Sequence, residues 1–253
     1  MSDISPPAVW RSEMVKLTSL RSTTTLACAT NAASVLVSGL VSRAHSSRPN
    51  ASDSSTDPVV GSLSGIVLAE LLIAILGALA ATSDYSSNTV RLSLIASPRR
   101  TRLLTAKLGA CATLIGAVAL AAVAGSILVS QWFLHGTDAA LTTSTPHLPR
   151  ALLGAVTYLL GWGLAGFGTG LAVRRTAPAV GIVVILLWIL PAVLSAYDLT
   201  LANYVAPSAT GQELLTTTAP TPGEPSLLVA ALSFTCFVAL CLAAGRQSFQ
   251  RDT

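Results

Sequence analysis

The sequence predicts an all-α membrane protein with six transmembrane helices. Of the 253 residues, 52% are hydrophobic and 10% are charged, and the mean hydropathy is +0.67, far above that of water-soluble domains. Six separate stretches are long and apolar enough to cross a bilayer, which takes about 20 helical residues. Alternating strands of about ten residues, typical of transmembrane barrels, are missing from the sequence. A helical bundle is therefore the expected fold.

The six predicted spans differ in how clearly the sequence marks them. The first is the weakest, because Asn31 and several Thr and Ser dilute its apolar residues. It follows a head of residues 1–22 and lacks a small-residue cleavage site, so we interpret it as a permanent helix and not as a signal peptide. The boundary between the fourth span and the fifth depends only on the short stretch RRTAP, which begins with Arg174 and Arg175. The predicted spans are residues 23–42, 59–82, 108–130, 151–173, 177–195 and 226–244.

Positive residues are distributed unevenly between the two sides of the predicted bundle. Twelve of the fifteen Lys and Arg lie in the head, the second and fourth connections and the tail at residues 245–253. The other side holds three, together with six acids. Cytoplasmic segments of membrane proteins carry an excess of Lys and Arg, so we expect both termini and residues 83–107 in the cytoplasm. The net charge of +4 then reflects topology and does not indicate nucleic-acid binding.

Sequence motifs of common active sites are missing from the chain. It has no GxxxxGK[ST] phosphate loop, no HExxH and no GxSxG. The four cysteines fall inside predicted spans, and the three histidines lie in connections without metal-ligand spacing. We therefore expect that this chain is not an enzyme by itself and holds no metal or cofactor of its own.

The head has the pattern of an amphipathic helix. Trp10, Met14 and Leu17 share one helical face, which Glu13 interrupts, while Lys16 lies elsewhere. The pattern predicts a helix in the cytoplasmic membrane interface that leads into the first span. An ordinary juxtamembrane helix is the alternative.

A second short helix is predicted at about residues 89–97, between the second and third spans. Asn88 is suited to cap its N-terminus, and Pro98 ends it, because the residue before a proline avoids the helical region. Leu92 and Ile95 lie on one face, which leaves an apolar side for a partner protein. For the arginines that follow, anchoring to anionic headgroups is the alternative.

Glu70 is the only charged residue within the predicted spans. A carboxylate at this depth is costly and normally faces the bundle interior or a water-filled cavity. Three interpretations stay open: a neutral hydrogen-bonding group, a wall of the substrate path, and a proton or ion relay. Because no basic residue accompanies it within the spans, ion-coupled secondary transport is disfavoured.

Glycines form two groups that permit close helix approach in lipid. One is Gly61 with Gly65, and the other is a run of five glycines between Gly161 and Gly170. Each group can serve either a dimer interface or packing within one bundle.

Four segments, in the same order along the chain, resemble the ABC type-2 transporter permeases of actinobacteria. VWRSEMVKLTSLRSTTTL resembles their Ser-Glu-x-x-Lys-Leu-x-Ser-x-Arg-Ser-Thr head, and DYSSNTVRLSLIASPRRTRLLTAK resembles their acid-Tyr-x-x-Gly-Thr-Ile-Arg stretch, with Asn88 in place of glycine. YVAPSATGQELL is similar to their Leu-Pro-x-x-Ala-Gly segment, from which Ala206 and Thr210 depart. GRQSFQRDT resembles their basic tail.

The resemblance implies a permease subunit of an ATP-binding cassette transporter in a bacterial plasma membrane. Such permeases pair as homodimers or with a close paralogue, and they bind two copies of an ATPase subunit that carries ATP and Mg. We expect export of a hydrophobic or amphipathic compound, such as a drug, an antibiotic, a peptide or a lipid. Residues implied in coupling to the ATPase are Asp84, Tyr85, Thr89, Arg91, Leu92 and Ile95. Residues implied in the interfacial helix are Trp10, Glu13, Met14, Lys16 and Leu17.

A stand-alone membrane protein without an ATPase is the alternative function. It would be a secondary carrier, or an immunity or scaffold factor. A neighbouring reading frame for a phosphate-loop ATPase would separate the two functions.

Overall fold

The structure is a computed structural model that describes residues 6–46, 58–86, 100–135, 147–217 and 223–250. The described residues form helices and turns, with no β-strand among them. Six helical segments in these ranges are long and apolar enough to cross a membrane, which confirms the predicted all-α membrane fold. The predicted helix at residues 89–97 lies outside the described residues and stays a prediction. The helices are α1 (Pro6–Ser19), α2 (Arg21–Ser46), α3 (Pro58–Ser62), α4 (Ile66–Ser86), α5 (Arg100–Leu134), α6 (Leu148–Val173), α7 (Thr176–Val184), α8 (Leu190–Tyr197), α9 (Leu199–Val205), α10 (Pro207–Gln212) and α11 (Leu227–Gln250).

Helices α4 and α6 form the centre of the bundle. In the most apolar stretch of each of these two helices, 61% of the residues are buried, against 11% in α11. Helix α6 packs mainly against α4 and α11, while α2 packs mainly against α5 and α4. Lipid is as apolar as a leucine side chain, so the exposed leucines of the outer helices can face the bilayer without cost. Because lipid also provides no hydrophobic driving force between helices, the bundle depends on close packing.

Contacts at the helix ends show that successive spans run in opposite directions. Lys107, near the start of α5, donates a hydrogen bond of 3.3 Å to the carbonyl of Ala81, near the end of α4. Thr82 Oγ1 lies 2.8 Å from Oγ1 of Thr176, where α7 begins. The end of the bundle at which α2, α5 and α7 begin and α4, α6 and α11 end is named the basic end, and the other is the distal end.

The second predicted span, at residues 59–82, is interrupted in the structure. A turn at residues 63–65 separates α3 from α4. At this turn the Gly65 N–H donates to the Ser38 hydroxyl of α2, at 3.0 Å, instead of continuing a helical ladder. A partner on another helix therefore takes over the backbone bond that a straight helix would make.

The fifth span is one continuous helical rod, Thr176–Tyr197, with a π-helical turn at Ile185–Ile189 between α7 and α8. Within it the Leu190 N–H donates to the carbonyl of Ile185, five residues back. Pro191 follows directly, and it has no N–H and would clash with the carbonyl four residues before it. The wider turn removes that clash, which is a common origin of such bulges.

The head forms helix α1, which packs on the start of α5. Trp10 lies against α5 beside Gly109, Met14 Sδ is 4.0 Å from Thr113 Oγ1, and Leu17 is buried. The predicted apolar face is thus the packed face of the helix. Its position in the membrane interface stays a prediction.

Candidate functional site

The candidate site lies around Glu70, on the face of α4 that meets α6. Glu70 is one turn into α4 and has only 2% of its surface exposed. The hydroxyl of Tyr158, on α6, donates a hydrogen bond to Glu70 Oε2. Tyr158 itself is fully buried. The carboxyl of α4 and the phenol of α6 therefore satisfy each other inside the bundle, as buried polar groups normally do.

Aromatic rings surround Tyr158 and connect α6 to α11. The ring centroids of Tyr158 and Phe234 are 5.4 Å apart, and those of Trp162 and Phe237 are 5.5 Å apart. The rings of Tyr158 and Trp162 meet edge to face at 6.5 Å. Tilted and edge-on arrangements at these distances are favourable, so the cluster stabilises the α6–α11 contact beyond the area that it buries.

The connection between α8 and α11 turns back into the bundle and reaches Tyr158. The Gly211 backbone lies against the Tyr158 ring, so closely that a methyl group at Gly211 would overlap the ring. From there the chain runs outward along α6, and Arg150 Nη2 donates to the carbonyl of Thr216 at 2.7 Å. Tyr158 is ten residues after Leu148, where α6 begins. At 1.5 Å per residue, Gly211 therefore lies about 15 Å inside the distal end.

This inward segment, residues 206–215, is named the re-entrant segment. Irregular backbone at membrane depth must be buried in protein or line a cavity, because lipid offers no hydrogen bonds. Ala206 and Thr210 are fully buried, and both the N–H and the hydroxyl of Thr210 donate to the carbonyl of Ala206. The segment thus satisfies part of its own backbone and covers the rest with α6 and α11.

The cluster offers several hydrogen-bonding groups. Besides Glu70 and Tyr158, it contains the buried indole N–H of Trp162, which lies near the Tyr158 hydroxyl without a hydrogen-bond partner in the described part of the chain. Gln212 of the re-entrant segment also lies beside that hydroxyl. Among the described residues, no three His, Cys, Asp or Glu side chains group as metal ligands.

The enclosed Glu70 corresponds to one of the three interpretations from sequence, the hydrogen-bonding group inside the bundle. The two other interpretations, a wall of a substrate path and a proton or ion relay, stay predictions. The sequence singled out Glu70 but not Tyr158 or Trp162, because no spacing rule connects residues on different helices. It singled out Gly211 only as part of a segment that resembles a permease segment.

The residues predicted to couple to an ATPase lie at the basic end or outside the described part. Asp84 and Tyr85 belong to the last turn of α4. Thr89, Arg91, Leu92 and Ile95 are outside the described residues. In the head, Glu13 is 8% exposed on the packed side of α1, and Lys16 is half-buried. The structure therefore brings the head helix and the end of α4 to the same end of the bundle, away from Glu70.

The distal end carries acids in and near the re-entrant segment. Burial raises the pKa of the Glu213 carboxyl, and the charge of Glu224 raises it further. Tyr204, on α9, donates to the backbone carbonyl of Glu224 at 3.4 Å, which fixes the approach to α11. The two ends of the bundle thus differ in charge as well as in the length of their connections.

Comparison of the sequence with protein-family models finds no match, and comparison with curated proteins finds none either.

Proposed function

We propose that this chain is the membrane-spanning permease subunit of an ATP-binding cassette transporter. In this proposal it pairs with a second permease, binds two copies of an ATPase subunit that carries ATP and Mg, and exports a hydrophobic or amphipathic compound from a bacterial cell. The basic end faces the cytoplasm. The observation that carries the proposal is that α5, which begins after residues 87–99, contacts both α1 and α4, the helix that ends before those residues.

Side-chain contacts at the basic end support a path for mechanical coupling. Lys107 ties α5 to Ala81 of α4, and the next residue, Thr82, is bonded to Thr176 of α7. A partner that displaced residues 87–99 would therefore move α4, α5 and α7 together. Because α4 packs against α6, a displacement of α4 would also move α6 and the re-entrant segment that contacts it.

A second contact fixes the neighbouring pair of helix ends. Arg174 ends α6 in the left-handed conformation, with φ of 63°, and its Nη2 donates to the Ser248 carbonyl of α11 at 2.7 Å. A non-glycine residue at this φ costs about 1–2 kcal/mol, which the hydrogen bonds to α11 offset. These hydrogen bonds hold the ends of α6 and α11 together, so a displacement of α4 would move both helices as one unit.

Copurification of the ATPase tests the proposal. With the full-length permease tagged and coexpressed with a phosphate-loop ATPase encoded beside it, we expect the parent to retain the ATPase on the resin. Leu92→Asp and Ile95→Asp should reduce the recovered ATPase at least several-fold, because an aspartate in an apolar contact must be desolvated or must open that contact.

The matched control is Ser22→Asp, which adds the same charge at the same end of the bundle but on the exposed first turn of α2. An acid is tolerated at a helix N-terminus, so this variant should keep the ATPase. All variants must reach the membrane at the parent level. Equal ATPase recovery by the parent, Leu92→Asp and Ile95→Asp would remove this segment from the coupling role, and a parent that retains no ATPase would favour a stand-alone protein.

A further inference from the structure

A row of serine hydroxyls follows one face of α2. Ser34, Ser38 and Ser42 are spaced by four residues and are 0%, 0% and 2% exposed. The Ser34 hydroxyl shares a hydrogen bond of 2.7 Å with Ser126 on α5, and the Ser38 hydroxyl accepts from the Gly65 N–H. These two levels are therefore closed by partners within the protein.

Ser42 lies nearest the distal end and forms the third level of this row, together with Ser62 of α3. This level differs from the other two, because its hydroxyls have no partners among the described residues. The hydroxyl oxygens of Ser42 and Ser62 are buried and make no hydrogen bond within the described ranges. Ser62 is 1% exposed. Ser130, on α5, donates to the backbone carbonyl of Ser62 at 2.9 Å, so α5 borders this level directly.

The helical register brings Ser42 and Ser62 to the same level. Ser42 lies one turn beyond Ser38, and Ser62 lies three residues before Gly65, the partner of Ser38. Both steps lead toward the distal end: the first spans about 6 Å along α2, and the second crosses the turn at residues 63–65. Ser42 and Ser62 thus lie at about the same depth in the bundle, where α2 packs on α3.

Further unpartnered groups gather at this level. Ser64 Oγ and Gln131 Nε2 are also buried without a hydrogen-bond partner among the described residues. Four of the six such side-chain atoms in the described ranges therefore belong to residues at or next to one place in the fold. A buried hydroxyl or amide without a partner is unfavourable, and native proteins normally satisfy such groups with protein or with ordered water.

We propose that the space between Ser42, Ser62 and Gln131 is an internal water site occupied by one or two ordered water molecules. Water fits because hydroxyls and an amide offer donors as well as acceptors, and a buried water makes two to four hydrogen bonds. The near-complete enclosure of both serines excludes a larger ligand. The site completes the row of polar contacts that holds α2 to its neighbours, and it does not depend on the proposed transport function.

Thermal unfolding of the purified full-length protein tests the site through a double-mutant cycle. We expect Ser42→Ala and Ser62→Ala each to lower the apparent Tm by about 2–4 °C, the shift for one lost hydrogen bond in a chain of this size. The double variant should lose no more than the larger single loss, because both hydroxyls serve the same water. Ser195→Ala is the control, since that hydroxyl is exposed and bonds to the Ala192 carbonyl of its own helix.

Three thermal outcomes overturn the proposal. A higher Tm for either single variant would mean that the hydroxyl is unsatisfied, and an unchanged Tm would mean that it turns back onto its own helix. Additive losses in the double variant would mean that the two hydroxyls do not share a partner.

A density map of the parent at a resolution that shows ordered water provides the direct measurement. We expect a peak about 2.7–3.2 Å from both serine hydroxyls, and its loss in the double variant. An empty space in the parent map overturns the proposal whatever the thermal result.

Discussion

Two helix pairs in this bundle use glycine in different ways. Between α4 and α6 the backbones touch, so that a methyl group at Gly77 would overlap the carbonyl oxygen of Gly163. Between α2 and α5 the glycines instead receive side chains: a methyl group at Gly125 would lie 2.7 Å from Val35 Cγ2. A backbone contact cannot yield without moving a whole helix, whereas a valine side chain can shift. The α4–α6 pair is therefore the fixed centre, and the α2–α5 pair is the adjustable one.

The glycines of α6 face other helices of the same bundle. Gly166 and Gly170 lie against the α4 backbone, while Gly161 and Gly168 lie against α11. Of the two interpretations left open by the sequence, the structure shows packing within one bundle for these positions. If two permeases pair as we propose, their contact uses other surfaces, such as the exposed leucines of the outer helices.

The largest effect is expected at the α4–α6 backbone contact. Gly77→Ala should destabilise the protein by about 3 kcal/mol or prevent its accumulation, because the added carbon meets the Gly163 carbonyl and overpacking of a fixed contact lies at or above the usual range. Membrane yield and the apparent Tm in detergent provide the measurement.

Gly116→Ala and Gly181→Ala are matched controls, because a methyl group at either helical position meets nothing within 4 Å. Each should be neutral or stabilising by about 0.5–1 kcal/mol, the cost of glycine in a helix. If Gly77→Ala behaves like these controls, α4 and α6 are not held in backbone contact.

The difference between the two pairs was predictable only in part. Hydropathy predicted the six spans, because it is a property of single segments, and the charge distribution predicted which ends face the cytoplasm, which stays a prediction. Which glycine meets a backbone depends on the rotation of one helix against another, and a single sequence does not specify it. For the same reason Glu70 was recognised as unusual, while its partner Tyr158 was not. The segment around Gly211 was noticed only for its resemblance to a permease segment, and its place against Tyr158 was not predicted. The bulge before Pro191 is the exception, since proline chemistry alone predicts a disturbed turn.

An intermediate effect is expected at the polar contact within the α4–α6 pair. Tyr158→Phe leaves the Glu70 carboxyl buried without its donor and should cost about 1–3 kcal/mol. Glu70→Gln keeps an acceptor for the tyrosine and should cost less. The double variant Glu70→Leu with Tyr158→Phe removes both partners and should recover part of the loss, since an apolar pair leaves no unsatisfied group.

Export measured in the same variants separates the interpretations of Glu70. If Glu70 only packs, Glu70→Gln should transport like the parent. Transport by the double variant should then fall only as far as its stability falls. If Glu70 contacts cargo or relays protons, export should fall in Glu70→Gln at normal yield and Tm. A Tyr158→Phe variant as stable as the parent would contradict the hydrogen bond itself.

The smallest effect is expected at the α2–α5 pair. Gly125→Ala brings a methyl group to 2.7 Å from a single atom, Val35 Cγ2, and meets no backbone. The valine must shift by several tenths of an ångström, which costs a fraction of the overpacking penalty, and the helix gains about 0.5–1 kcal/mol from the loss of glycine. These terms nearly cancel, so we expect an apparent Tm within a few degrees of the parent. Combining Val35→Ala with Gly125→Ala removes the close contact. The double variant should then gain stability from the loss of a helical glycine, reduced by the packing lost with the valine methyl groups. If Gly125→Ala is as damaging as Gly77→Ala, then α2 and α5 are as rigidly docked as the central pair, and the adjustable interface of this bundle must be sought elsewhere.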